Sequence, residues 1–237
     1  MDLQRVEMLL GQEKLALLQK AVVAVVGLGG VGSYVAEALC RSGVGSLLLI
    51  DADVVEPSNI NRQLPALQSN MGRLKTEVVA ERLREINPAC QIKIISQFYE
   101  PGDFDKFFKL PKDKGYPDYI ADAIDSTPSK LDILAVALQN RIPVISAMGT
   151  GNKLDPTQLR ITDISKTSVC PLAKTVRKRL RQMGIEKGIT VVYSLEEPQY
   201  VHKSSTPGSM VFVPGSAGLL MASYIVRQLV AIKEVME

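Results

Sequence analysis

A glycine-rich turn between a buried strand and a helix is the feature that most constrains how this chain can fold. The run AVVAVV at 21–26 has the length and β-branched content of a buried strand, and the glycines of GLGGVGS follow it directly. Residues 31–42 then have helical spacing, Gly43 ends the helix, and SLLLID at 46–51 is a second buried run. A strand, a crossover helix and a second buried strand predict a parallel βαβ unit.

The same alternation continues along the chain. Residues 75–87 and 129–140 have helical spacing, and three further strand-like runs are QIKIIS, DYIADAID and IPVISAMG. After Gly151 the runs QLRITDI and ITVVYSL alternate like half-exposed strands, with a basic helical segment between them. We therefore expect an α/β fold, a doubly wound and mainly parallel sheet that a mixed or antiparallel second half extends.

The chain has the size of one domain and no internal repeat or low-complexity linker. Its 237 residues suffice for a sizeable core, and we expect a single domain over 1–237. Within it, 21–147 would form the core of alternating strands and helices and 148–237 the second half. A helical segment in the first twenty residues precedes the first strand.

Composition excludes several classes of protein. The chain is 46% hydrophobic and has three cysteines without a CxxC pair, which argues against disorder, a disulfide framework and a cysteine zinc site. The N-terminus has no long apolar run, so we expect a cytoplasmic protein. The apolar C-terminal segment contains Arg227, Gln228 and Lys233, which favours a packed core helix over a membrane span.

The net charge of +3 is mild, but the basic residues are clustered. The segment KTVRKRLR at 174–181 holds five cations in eight residues. A solvated helix face and a contact with a polyanion both fit this pattern.

The glycine turn and the acidic end of the next strand are typical of a nucleotide site. A GxGGxG turn lets the backbone approach a pyrophosphate, and the helix N-terminus supplies free N–H groups. Asp51 ends the second strand, where a carboxylate can bind ribose hydroxyls. By itself this pattern fits a dehydrogenase or a methyltransferase equally well.

The long polar loop after Asp51 changes the interpretation. It contains Arg62, whose guanidinium group can donate two hydrogen bonds to phosphate oxygens. Lys75 follows at the start of the next helix, where its ammonium group can bind a terminal phosphate. Asp125, after the fourth strand, suits Mg²⁺ that keeps most of its waters. These residues predict ATP with Mg²⁺, poised for attack on the α-phosphate, and a dehydrogenase gives them no role.

The motifs GLGGVGS, DADVVEPSNINRQ and AIDS, with the spacing to Lys75, resemble the adenylating core of ubiquitin-activating enzymes and the bacterial ThiF and MoeB proteins. The resemblance implies a Rossmann-like fold, a homodimer in which Arg5 reaches into the partner's site, and catalytic roles for Arg5, Arg62, Lys75 and Asp125, with Asp125 on the metal. It also implies an ATP-binding set comprising Gly27, Gly29, Gly30, Gly32, Asp51, Asp53, Ser58, Asn59, Arg62, Gln63, Lys75, Asp125 and Ser126.

The second half, with LDPTQLRITDISKT, CPLAK and VPGSAGLLMAS, resembles the tRNA threonylcarbamoyladenosine dehydratases. That family implies that the threonine carboxylate of the modified adenosine is adenylated and that a carbamoyl nitrogen closes on it, with net loss of water. No protein nucleophile is needed. In that case Lys174, Arg177, Lys178, Arg179 and Arg181 would follow the tRNA phosphates, and Lys166 and Thr167 would lie nearer the threonine carboxylate. The core at 21–147 would then bind ATP, and the half at 148–237 would bind the substrate.

Other hypotheses stay open at this point. An enzyme that activates a ubiquitin-like or sulfur-carrier protein shares the same ATP residues, although this chain lacks the zinc cysteines usual in that class. A nucleotide sensor without turnover would not need Arg62, Lys75 and Asp125. A cysteine desulfurase or sulfur acceptor is a further candidate partner. We expect Cys170 to be structural and His202, in a polar loop, to have no chemical role.

Overall fold

The computed structural model describes residues 1–111, 115–199 and 207–231. The strands are β1 (Val22–Val26), β2 (Ser46–Ile50), β3 (Gln91–Ile95), β4 (Tyr119–Asp122), β5 (Val144–Ala147), β6 (Leu159–Asp163) and β7 (Thr190–Ser194). The helices are α1 (Gln4–Leu10), α2 (Gln12–Lys20), α3 (Gly32–Arg41), α4 (Lys75–Ile86), α5 (Phe104–Phe108), α6 (Thr127–Gln139), α7 (Pro171–Gln182) and α8 (Phe212–Ala231).

The strands form one sheet in the order β3-β2-β1-β4-β5-β7-β6. Every neighbouring pair is parallel except β6 and β7, which are antiparallel. The expected α/β fold, with a mainly parallel sheet and a mixed second half, is confirmed. The chain leaves β1 for β2 on one side and reaches β4 on the other, so a crevice opens at the carboxyl ends of β1 and β4.

Helices cover both faces of the sheet, which explains why the central strands are continuous apolar runs. One core joins a sheet face to α2, α3, α4 and α8. The other core joins the opposite face to α5, α6 and α7, and it contains Phe104, Phe107 and Phe108. This layering places the strand ends, and not the sheet faces, at the surface.

Two local expectations need correction, and one helix was not predicted. The strand β7 is buried and not half-exposed, because it lies between β5 and β6 and its side chains enter both cores. The N-terminal helical segment is divided into α1 and α2 by Gly11, whose φ is +82°. The short helix α5 had no distinct periodic signal in the sequence.

The C-terminal helix α8 packs against α3 as a core helix. A Cβ added at Gly218 would lie 2.4 Å from the Val31 carbonyl oxygen, so the small residue sets how closely the two helices approach. Among the described helices, none is long and apolar enough to cross a membrane.

Candidate functional site

A cleft of about 810 Å³ lies at the carboxyl ends of the parallel strands. It brings together most of the residues that the sequence assigned to nucleotide binding: Gly27, Gly29, Gly30, Asp51, Asp53, Arg62, Gln63, Lys75, Asp125 and Ser126 all line it. The predicted residues that do not line the cleft are Arg5, Gly32, Ser58, Asn59, Lys166, Thr167, Lys174 and Arg177.

The glycines of the turn have different surroundings, and these decide whether a side chain would fit. Gly27 has φ +84°, and an added Cβ would lie 2.8 Å from the Ala123 carbonyl oxygen. A Cβ on Gly32 would lie 1.7 Å from the Gly27 carbonyl oxygen, so the turn itself requires glycine there. At Gly29 the nearest atom would be Gln63 Nε2, at 3.7 Å. Protein packing therefore leaves room at Gly29 for a side chain, and the turn is open toward the cleft at that point.

Asp51 fixes the start of the glycine turn. Its carboxylate accepts hydrogen bonds from the Leu28 N–H at 2.6 Å and the Asp53 N–H at 2.8 Å. Burial raises the pKa of Asp51, and the two backbone hydrogen bonds act against that rise. The side chain thus presents an oriented acceptor at the end of β2.

The loop between β2 and α4 is tied down at both ends. Lys75 is buried, its Nζ lies 2.8 Å from Asp53 Oδ2, and its N–H donates to the Asp53 carbonyl oxygen at 3.0 Å. An antiparallel bridge joins Val54 to Leu74. Because of these contacts, the loop returns to the cleft edge with Lys75 facing the same space as Asp51.

Arg62 is oriented by hydrogen bonds to residues of its own loop. Its Nη1 donates to the Ser58 carbonyl oxygen at 2.8 Å and to Asn61 Oδ1 at 2.9 Å. Asn59 is buried and accepts from the Glu56 N–H at 3.2 Å, which stabilises the loop backbone. Ser58 and Asn59 therefore support Arg62 without lining the cleft. Gln63 lines it, and within the described part of the chain its buried Oε1 has no hydrogen-bond partner.

Asp125 lies three residues beyond the end of β4 and is exposed in the cleft. A fully buried ion pair supports its loop: Lys130 Nζ lies 2.7 Å from Asp122 Oδ2. Ser146 Oγ donates to the same oxygen at 2.6 Å, and the Ile124 N–H donates to Asp122 Oδ1 at 3.2 Å. This network joins β4, β5 and α6 and sets the path of residues 123–126.

The far wall of the cleft is fastened at Asn152. Its backbone has φ +58°, which Asn tolerates better than most residues. The Gly208 N–H donates to Asn152 Oδ1 at 2.6 Å, and the Asn152 N–H donates to the Gly208 carbonyl oxygen at 2.7 Å. The Gln199 N–H donates to the Asn152 carbonyl oxygen at 2.7 Å. His202 lies outside the described residues.

The basic helix α7 has two kinds of cation. Arg177 is half-buried and donates to the Thr167 carbonyl oxygen at 2.8 Å and to the Thr167 hydroxyl. Thr167 itself is buried, and its hydroxyl donates to the Ile164 carbonyl oxygen at 2.7 Å. The remaining basic side chains of the helix are exposed: Lys174, Lys178, Arg179 and Arg181.

Comparison with known proteins assigns the chain to a family. The ThiF family model matches residues 3–236. The chain belongs to the ThiF family. It is 42% identical to the tRNA threonylcarbamoyladenosine dehydratase of Bacillus subtilis, over 95% of this chain and 93% of that protein. It is 40% identical to the Escherichia coli dehydratase, over 85% of this chain and 76% of the relative.

Two solved structures of the E. coli enzyme match this chain with a TM-score of 0.91 and 36% sequence identity. The complex with ATP is matched over 99% of this chain and 96% of the E. coli chain. The complex with AMP is matched over 99% of this chain and 95% of the E. coli chain. The predicted resemblance to dehydratases of this family is therefore confirmed.

Sequence reasoning missed one wall of the ThiF-family cleft, the segment 97–101 after β3. Phe98 is 69% exposed and lines the cleft, as do Gln97 and Tyr99. The Tyr99 hydroxyl donates to Asp132, and Ser129 Oγ donates to the Tyr99 carbonyl oxygen at 2.9 Å, so α6 holds the segment in place. An exposed aromatic ring beside polar groups suits the face of a nucleobase.

The Asp122–Lys130 pair was also missed, although a signal was present. Asp122 interrupts an apolar strand, and Lys130 is on the helix that follows it. Charged residues are rarely buried unless they are paired, so opposite charges in two buried elements indicate a pair.

Proposed function

We propose that this chain catalyses the ATP-dependent dehydration of threonylcarbamoyladenosine in tRNA, giving the cyclic product, AMP and pyrophosphate. The observation that carries the proposal is that one cleft collects Gly29, Asp51, Arg62, Lys75 and Asp125. The dehydratase relatives match nearly the whole chain, which supports tRNA as the substrate. The alternative, activation of a carrier-protein C-terminus, is not favoured.

The reaction has two steps. A carboxylate oxygen of the threonine moiety attacks the α-phosphorus of ATP, and the bond to the β-phosphate oxygen breaks, which releases pyrophosphate. A carbamoyl nitrogen then attacks the activated carbonyl carbon, the C–O bond to AMP breaks, and the nitrogen loses its proton. Both reacting groups belong to one substrate, so positioning supplies much of the rate.

The cleft residues suit these steps. The open turn at Gly29 and the N-terminus of α3 provide backbone N–H groups for phosphate, and Asp51 provides acceptors for ribose hydroxyls. Phe98 can stack on the adenine ring. Arg62 and Lys75 would stabilise negative charge as pyrophosphate leaves, with phosphate oxygens replacing Asp53 on the Lys75 ammonium.

Magnesium is part of the proposal. The described residues contain no cluster of three or more His, Cys, Asp or Glu side chains arranged to hold a metal. Asp125, exposed in the cleft, fits Mg²⁺ that is bound by one carboxylate, with phosphates and water as the other ligands. Bound there, the ion would neutralise charge on the phosphates.

We also propose a homodimer in which Arg5 completes the partner's site. Arg5 is exposed on α1 and does not line the cleft of its own chain. The helix α1 has no buried residue, and Met8 and Leu9 are 81% and 83% exposed. An apolar surface of this kind suits an interface between two copies. A cysteine desulfurase or sulfur acceptor partner and a cytoplasmic location remain predictions.

The tRNA would contact the exposed side of α7. Lys174, Lys178 and Arg181 follow one another at helical spacing and are all exposed. We assign the phosphate contacts to these residues, with Lys166 nearby on the exposed surface. Arg177 and Thr167 would support the fold of this surface through their mutual hydrogen bonds.

Replacement of Lys75 or Asp125 by Ala tests the ATP assignment. We expect AMP formation to fall by about 100-fold or more in each variant, because each removes a group that stabilises charge in the transition state. AMP is measured with modified tRNA as substrate, and thermal unfolding confirms that the variants fold. Turnover near the wild-type rate in either variant would contradict the assignment.

A further inference from the structure

The proposed function gives no role to a buried cation on the far wall of the cleft, Lys153. It follows β5, lines the cleft and is only 3% exposed. Its Nζ donates to the Ser194 carbonyl oxygen at 3.3 Å. Among the described residues, the other cations that line the cleft are Arg62, on the loop after β2, and Lys75, at the start of α4.

The charge of Lys153 is incompletely balanced by the described residues. No described carboxylate lies within 4 Å of Nζ, in contrast to Lys130 and Lys75. Glu196 is near, but its carboxylate accepts hydrogen bonds from the Leu154 N–H at 2.9 Å and the Asp155 N–H at 2.9 Å.

Burial lowers the pKa of Lys153, and the Cys170 thiol and the Glu196 carboxylate act against that change. A buried ammonium with one backbone acceptor is costly to maintain, and an anion in the cleft would stabilise it.

The substrate carries an anion that the ATP-binding residues do not account for, the threonine carboxylate. We propose that Lys153 binds this carboxylate and positions it for attack on the α-phosphate. The inference rests on the proposed function and adds a substrate-binding residue to it. Asn152, directly before Lys153, fixes the backbone at this point through its hydrogen bonds to Gly208 and Gln199.

The test compares two RNA ligands that differ by one charge. An anticodon stem-loop carries threonylcarbamoyladenosine or its neutral carboxamide, and binding is measured with α,β-methylene ATP so that no reaction occurs. We expect the wild type to prefer the carboxylate by about tenfold, which corresponds to one charge-assisted contact. In Lys153→Met this preference should disappear while the affinity for the ATP analogue is unchanged.

Two further variants keep the test decisive. Lys93→Met removes an exposed lysine of β3, outside the cleft, and should keep the full preference. Lys153→Gln retains a hydrogen-bond donor without the charge and should show the same loss if Lys153→Met does not fold. A preference that survives in the Lys153 variants, or that is absent from the wild type, overturns the inference.

The outcome is separable from the proposed function. If the wild type prefers the carboxylate and the Lys153 variants lose that preference, but no cyclic product forms with ATP, the proposed function fails and the carboxylate site stands. If the wild type forms the product and the Lys153 variants keep the preference, only the inference fails.

Discussion

Gly29 and Gly32 are three residues apart in one turn, and their surroundings differ. Gly32 faces the Gly27 carbonyl oxygen, so the backbone leaves no space for a side chain. Gly29 faces the cleft, where a methyl group would contact only the Gln63 side chain. The fold therefore requires glycine at position 32, and we assign the glycine at position 29 to the proposed binding of phosphate.

Substitution by Ala tests that separation. Gly32→Ala should lower the free energy of unfolding by about 3 kcal/mol, because the added methyl group overlaps the backbone. Gly29→Ala should keep the thermal stability of the wild type but weaken ATP binding by about tenfold or more, because the methyl group occupies phosphate space. Calorimetry measures both quantities, and equal loss of stability in the two variants would contradict the distinction.

At this scale the sequence identified residues whose spacing follows from a local motif. Consecutive elements carry the turn glycines, Asp51 and Lys75. Their proximity at the strand ends could therefore be predicted. For the support under Asp125, opposite charges in two buried elements indicate the Asp122–Lys130 pair. The contact of Ser146 with that pair could not be predicted, because it arises from packing of three elements and not from any fixed spacing.

Among the elements, α7 shows why charge alone does not define a binding surface. Sequence pattern alone assigns the same role to all five cations of the helix. In the structure Arg177 donates a hydrogen bond to the Thr167 carbonyl oxygen, and the other four cations are exposed. The burial of β7 was likewise not predictable, because its neighbours β5 and β6 are joined to it only by the topology of the sheet.

The exposed cations of α7 can be tested by salt dependence. We expect Lys174→Ala combined with Lys178→Ala to weaken tRNA binding and to reduce the slope of log K against log salt concentration by about 2, because two phosphate contacts are lost. Arg177→Ala provides the comparison and should mainly lower thermal stability. An unchanged slope in the double variant would contradict the phosphate contacts and would indicate that this face of the helix contacts only solvent.

At the scale of the molecule, the seven strands form a single sheet in which β7 pairs with β5, so the predicted core and the second half share one hydrogen-bonded framework. The alternation of buried runs and helices was sufficient to predict this class of fold. The position of the cleft followed from the fold, since ligands bind where the strand order reverses. The far wall was not predictable, because Asn152 and Gly208 are distant in sequence.

Subunit mixing tests the proposed role of Arg5 across a dimer. We expect Arg5→Ala and Lys75→Ala each to be inactive alone. Mixed and allowed to exchange subunits, they should regain about a quarter of wild-type activity, because half of the dimers then contain one intact site. Full activity of Arg5→Ala alone, or no recovery in the mixture, would contradict a site shared between protomers.

The most direct measurement is nucleoside mass spectrometry on tRNA that carries threonylcarbamoyladenosine, after incubation with the protein, ATP and Mg²⁺. Mildly acidic, amine-free handling preserves the cyclic product. We predict a loss of about 18 mass units from the nucleoside, with AMP released, because ring closure removes one water. An unchanged nucleoside mass, with pyrophosphate exchange that depends instead on a small carrier protein, would contradict the assignment as a dehydratase.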